Sequence, residues 1–123
     1  MTGAWTPQRA MSWELPGGGG AATGEDPPAA AQRELREEGG YRAARFELLT
    51  RFLPSNAYLD EVAYCYAAWN LTPDALPADD DEFIERRVVP LAEALRMAVD
   101  GEITESVSKV TLLQYLTRRN HRE

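Results

Sequence analysis

The apolar positions of this chain follow two periods. Residues 27–39 have helical spacing: at 100° per residue Pro28, Ala31, Leu35 and Gly39 line one narrow stripe, small enough to press closely on a sheet. Asp26 suits the N-cap and Pro27 the first helical position, while Gly39 and Gly40 supply a left-handed stop. Strand patterns occur at Trp13-Glu14-Leu15, ended by Pro16, and at Arg45–Leu53, closed by Pro54. Glu61–Leu71 (EVAYCYAAWNL) is apolar on both faces, which predicts a central strand. Glu82–Val89 resumes as a strand. Leu91–Val99 and Glu105–Asn120 are helical, the second with Val107, Val110, Leu113 and Leu116 or Leu112 along its packed side. Met1–Ser12 carries no periodicity and reads as a loose, flexible arm, which leaves a domain over 13–120 and a tail at 121–123.

Composition narrows the class. A chain of 123 residues makes one domain able to bury a core. Its net charge of -7 argues against a nucleic-acid backbone or an anionic membrane as partner. One cysteine, Cys65, permits no internal disulfide and suits a reducing, cytoplasmic setting; inside a strand it reads as a buried structural thiol. No apolar run reaches membrane-spanning length and no secretion signal is visible, so the acceptor pattern Asn70-Leu71-Thr72 carries no glycosylation reading. His121 lies in a charged tail and has no role.

The candidate chemistry is acidic. Glu34 and Glu38 stand one helical turn apart beside the small-residue stripe, with Glu37 close by. Like charges at that spacing destabilise a helix by roughly 0.2–0.5 kcal/mol. A hard divalent cation would reverse the sign, since carboxylate oxygens are its preferred donors; a solvated acidic face is the plain alternative. Upstream, the run Gly17–Gly20 is either a linker or a place where backbone carbonyls and amides approach a metal and a phosphate. Two further polar stretches stand out: the acids Asp79–Glu82 on a Pro-rich loop, and Ser55–Glu61, a turn ending in an acid at the mouth of the central strand.

The spacing around the acidic helix resembles the Nudix hydrolase box, G-x5-E-x7-R-E-U-x-E-E-x-G-U with U bulky and apolar. Gly19, Glu25, Arg33, Glu34, Leu35, Glu37, Glu38, Gly40 and Tyr41 occupy its places in order. Gly19 is uninformative within a glycine run. The six other fixed positions, at roughly 7% usage each, coincide by chance on the order of once in 10⁷ windows. Trp-Glu-Leu-Pro before the box, Ser-x-x-x-x-Asp-Glu at 55–61, Val-Val-Pro-Leu at 88–91 and Gly101-Glu102-Ile103 before the last helix look like the ADP-ribose pyrophosphatase branch.

That resemblance implies an α+β fold, an α/β/α sandwich whose mixed sheet is flanked by helices. With twelve residues before Trp13, N-terminal strands of that fold are expected to be lacking. It implies Mg²⁺ or Mn²⁺ held by Glu34, Glu38, Glu82 and the carbonyl of Gly18, with Arg33 orienting the box acids. Asp80 or Glu37 would be the general base, and Glu61 and Tyr58 would contact substrate, Tyr58 or Trp69 offering a flat partner for the base. The reaction implied is hydrolysis of the pyrophosphate of a linked nucleoside diphosphate, ADP-ribose giving AMP and ribose 5-phosphate, by a homodimer. The short N-terminus also admits a second reading, a catalytically silent nucleotide-binding or interaction module.

Overall fold

A long antiparallel ribbon carries the acidic helix. In the computed structural model, which describes residues 2–5, 11–17, 25–54, 61–76 and 84–122, the chain divides into two units, residues 16–78 and residues 1–15 with 79–123. The class is α+β, and every strand pairing among the described residues is antiparallel.

In the first of these units, α1 (Pro27–Glu34) runs into a wider π-turn, Leu35–Gly39, and then into β3 (Tyr41–Phe52) and β4 (Ala63–Pro73). β3 and β4 pair from Tyr41↔Pro73 to Phe52↔Ala63. Between Leu48↔Tyr66 and Thr50↔Cys65 the register shifts by one residue, so Leu49 is an extra residue in β3, a bulge that bends the ribbon. Phe46 and Tyr66 meet edge-to-face at 5.9 Å, and Arg45 lies over Trp69 at 4.3 Å. Cys65 is buried, as expected.

Three expectations for this unit are corrected. The packed side of α1 is Ala30, while Pro28 is exposed and Ala31, Leu35 and Gly39 are half-buried. The reason is that α1 docks through a polar side chain: Gln32 Nε2 donates to the Ala43 carbonyl at 2.8 Å and its Oε1 accepts from the Ala43 N–H at 3.0 Å. A single amide thereby satisfies both backbone groups of one strand residue. Asp26 occupies the cap position without capping by its side chain; its carbonyl takes the Ala30 N–H at 2.9 Å. β4 was expected to be central, yet among the described residues its one neighbour is β3, and Tyr64 and Leu71 are exposed.

In the other unit, β1 (Thr2–Trp5) lies between β2 (Met11–Glu14) and β5 (Ile84–Arg86). The expected loose arm over Met1–Ser12 is therefore partly strand, and a strand does precede Trp13. β1 is held between β2 and β5, and the pairing with the remote β5 is a cause that local periodicity does not carry. Two helices follow, α2 (Leu91–Asp100) and α3 (Ser106–Arg122). Ala94, Leu95, Met97 and Ala98 of α2 pack with Ile103 and Leu112, and Trp13, Leu15, Val89 and Leu116 close over them. The packed side of α3 is Ser108, Thr111 and Leu112, whereas Val110 and Leu113 are exposed. The hydroxyls are buried because each has a partner: Ser108 Oγ accepts the Leu15 N–H at 2.9 Å, and Thr111 Oγ1 donates to the Val107 carbonyl at 2.6 Å. No described helix is long and apolar enough to cross a membrane.

α2 stops at Gly101, whose φ of +88° lets the chain double back until the Ile103 N–H reaches the Met97 carbonyl at 3.1 Å. A Cβ at Gly101 would meet nothing within 4 Å, so the constraint is backbone conformation alone. Gly101→Ala is expected to cost about 1–2 kcal/mol in urea denaturation, and Gly101→Asn less, because Asn tolerates the left-handed region. Equal losses for the two would point to crowding instead.

Glu14 gives a pH prediction. Burial, and next the charge of Glu105, push its carboxyl above the usual 4.5. Folding then favours the protonated form. The stabilising contribution of this group is complete below the unfolded value and disappears as pH rises through the folded one. An NMR titration should place the Glu14 midpoint above 4.5, and Glu14→Gln should flatten that part of the stability profile.

Candidate active site

Four glutamates and one arginine gather around α1 and its π-turn. Glu25, two residues before the helix, takes Arg33 in a fork: Nε to Oε2 and Nη2 to Oε1, both 3.1 Å. The remaining nitrogen, Nη1, reaches Glu34 Oε1 at 3.1 Å and Glu37 Oε2 at 3.2 Å. Three carboxylates thus share one guanidinium. Glu34 is the most enclosed of them, its side chain 16% exposed, so its ion pair is the least screened by solvent. Arg33 is held even more firmly protonated than an ordinary guanidinium, chiefly by hydrogen bonding to Glu25, then by the charges of Glu34, Glu25 and Glu37, against the opposing effect of burial.

Glu38 is fixed separately. Its Oε2 accepts the Gly17 N–H at 2.6 Å, a charge-assisted bond that joins the helix to the entry of the glycine run. Gly40 ends the turn with φ of +79°, the left-handed conformation expected from sequence, and its N–H returns to the Leu35 carbonyl. The like charges that sequence reasoning assigned to a metal are therefore compensated here by Arg33 and a backbone amide.

Of the residues singled out from sequence, the structure brings together Glu25, Arg33, Glu34, Glu37, Glu38 and Gly40. Glu61 is half-buried two residues before β4 and is not among the carboxylates that Arg33 binds. Gly18, Gly19, Tyr58, Asp80 and Glu82 lie outside the described residues. Three contributors escaped sequence reasoning: Gly17 N–H, Gln32 and Arg36. The glycine run signalled that an amide would approach something, though not that the partner would be Glu38. Nothing in the sequence marked Gln32 or Arg36.

The donor set fits a hard divalent cation in kind, since Glu34 and Glu38 offer carboxylate oxygens from one helix. Among the described residues, no group of three or more such side chains converges on a point that would hold a metal. Glu34 and Glu37 are drawn instead to Arg33.

The NUDIX domain family matches this chain over residues 3–109. The chain belongs to that family. It is 33% identical over 88 residues to an ADP-ribose pyrophosphatase of Bacillus subtilis, covering 70% of this chain and 47% of that protein. To an ADP-ribose pyrophosphatase of Mycobacterium tuberculosis it is 35% identical over 98 residues, 78% of this chain and 47% of that one. A methanol dehydrogenase activator of Bacillus methanolicus is 37% identical over 88 residues, with coverage of 70% and 47%. This NUDIX chain spans about half the length of these curated relatives. The crystal structure of an ADP compounds hydrolase shares its fold, with a TM-score of 0.80 at 20% identity, covering 98% of this chain and 66% of that one. NUDIX proteins as a family use divalent metals and act on small nucleotides.

Arg33→Ala tests the charge balance of the NUDIX helix. Charged hydrogen bonds contribute about 1.5–3 kcal/mol each when enclosed. Solvent reaches Arg33, 35% exposed, so the net loss is set at about 1–2 kcal/mol. Urea denaturation at pH 7 should show that loss, and Arg33→Lys, which keeps one charge but not the planar fork, should recover only part of it. Full recovery of stability in Arg33→Lys would contradict the account.

Proposed function

We propose that this chain hydrolyses the pyrophosphate bond of a nucleoside diphosphate linked to another group, with ADP-ribose as first substrate and AMP and ribose 5-phosphate as products. The observation that carries the reading is the Arg33 constellation, in which one guanidinium orients Glu25, Glu34 and Glu37 on the turn that also bears Glu38. The names of the Bacillus subtilis and Mycobacterium tuberculosis relatives support the substrate class. A homodimer in the cytoplasm belongs to the same reading.

Charge sets the mechanism. The substrate is an anion, and the chain carries a net charge of -7 with its acids clustered where the diphosphate would lie. Glu34 and Glu38, with Glu82 and the Gly18 carbonyl, would hold Mg²⁺ or Mn²⁺. When bound, these ions supply the positive charge that a diphosphate needs and make a nearby water more acidic. Arg33 keeps the Glu34 and Glu37 carboxylates oriented. A carboxylate oxygen of Glu37, or of Asp80, accepts the proton from the attacking water. Glu61 and Tyr58 would bind the rest of the substrate, with Tyr58 or Trp69 as the flat partner of the base.

The test is AMP release from ADP-ribose by the folded chain with Mg²⁺, abolished by EDTA and strongly reduced in Glu38→Gln and Glu34→Gln. Between Glu37→Gln and Asp80→Asn, loss of the base should lower kcat by about 10²–10⁴-fold. The acid whose variant falls that far is the base. Absence of turnover across ADP-ribose, nucleotide sugars and dinucleotides with either metal would sink the proposal and leave a silent nucleotide-binding module.

A further inference from the structure

An α-helix passes each carbonyl to the N–H four residues on, whereas over Leu35–Gly39 the bonding is one residue wider. The Gly40 N–H goes to the Leu35 carbonyl and not to that of Arg36. The Arg36 carbonyl accepts the Leu76 N–H instead, at 3.1 Å, from the segment that follows β4. Asp74 in that segment donates its N–H to the Gly40 carbonyl at 3.0 Å. The Arg36 side chain reaches the same place: Nε donates to the Asp74 carbonyl at 3.3 Å and Nη2 to Asp74 Oδ1 at 3.2 Å. Four bonds therefore tie the π-turn to residues 74–76, two from backbone groups and two from one guanidinium.

The wider turn matters because it advances less per residue than an α-turn. Glu37 and Glu38 consequently stand at a different angle from Glu34 than a 3.6-residue period would give them. In that position Glu38 meets the Gly17 N–H and Glu37 meets Arg33. A π-turn has poorer intrinsic support than an α-turn, so its shape depends on partners outside the helix.

We infer that Arg36 and Asp74 are positioning residues: by clamping the π-turn to the segment after β4 they set the relative placement of Glu34, Glu37 and Glu38. Neither residue is among the acids assigned above to hold the metal or accept the proton. The inference deepens the proposed hydrolysis and rests on it for its catalytic consequence, though not for the geometry it predicts. Arg42, exposed and 3.8 Å from Asp74, adds charge to the same acid and serves as a control.

The experiment uses the full chain with Arg36→Ala, Asp74→Ala, the double variant, Arg36→Lys and Arg42→Ala. Three quantities are read on folded protein: hydrogen-exchange protection of the Gly17 amide, Mn²⁺ affinity by calorimetry without substrate, and kcat and KM for ADP-ribose. Arg36→Ala and Asp74→Ala should each lower Gly17 protection about 10-fold. They should also weaken Mn²⁺ binding and lower kcat by about 10–100-fold, the usual effect of removing a residue that orients metal ligands, with KM changed less. The double variant should be no worse than the more severe single one, Arg36→Lys should recover part of the loss, and Arg42→Ala should match the wild type. Unchanged Gly17 protection in both single variants, or effects that multiply in the double variant, would overturn the inference. A wild-type chain without turnover would end the proposed reaction alone, because Gly17 protection still decides the geometry. Should either alanine variant not fold, Arg36→Lys and Asp74→Asn give the same readouts.

Discussion

Everything about the acidic helix depends on where its negative charge is answered. Glu25, Glu34, Glu37 and Glu38 lie close together around one short helix, and side by side they would repel. Arg33 answers three of them from a single guanidinium, and the Gly17 amide answers the fourth. Arginine suits this role because its planar fork engages Glu25 in two parallel bonds and still has Nη1 for two more acids. A lysine would offer one compact charge and could not hold the three in fixed orientation. The helix is thereby charged and ordered at once.

Charge balance alone does not place the carboxylates. Their angular relation comes from the backbone, and the backbone departs from α-geometry between Leu35 and Gly39. Gln32 on one side and Arg36 on the other attach this segment to the ribbon, the first at Ala43 at the start of β3 and the second at Asp74 just past β4. Both attachments use polar side chains to satisfy backbone groups, so the helix is held by directional bonds more than by apolar burial; only Ala30 of α1 is buried. Directional bonds specify angle, and angle is what ligand geometry requires.

The unit built from residues 1–15 and 79–123 follows the opposite principle. Met97 and Ile103 are fully enclosed, and the hydroxyls of Ser108 and Thr111 are tolerated inside because each is paired. Ser108 also receives the Leu15 amide, fixing the residue just before Pro16 and the glycine run. Here apolar packing comes first and hydrogen bonds complete it.

The amino-acid order by itself determined the elements and the candidate chemistry. Proline, glycine and the apolar period marked α1, the strands now seen as β3 and β4, and helices α2 and α3, because capping, turn formation and amphipathicity are local properties. The Arg33–Glu34–Leu35–Arg36–Glu37–Glu38 run announced a carboxylate site for the same reason: residue type and spacing are read directly. Tertiary structure decided what depended on distant partners. Strand β1 exists because β2 and β5 flank it; α3 turns Ser108 inward because Leu15 needs an acceptor; and the helix widens where Asp74 and Leu76 meet it, Asp74 lying 38 residues after Arg36 along the chain. Hydrogen bonds between remote segments leave no periodic trace, so the orientation of the glutamates, unlike their presence, had to come from the folded chain.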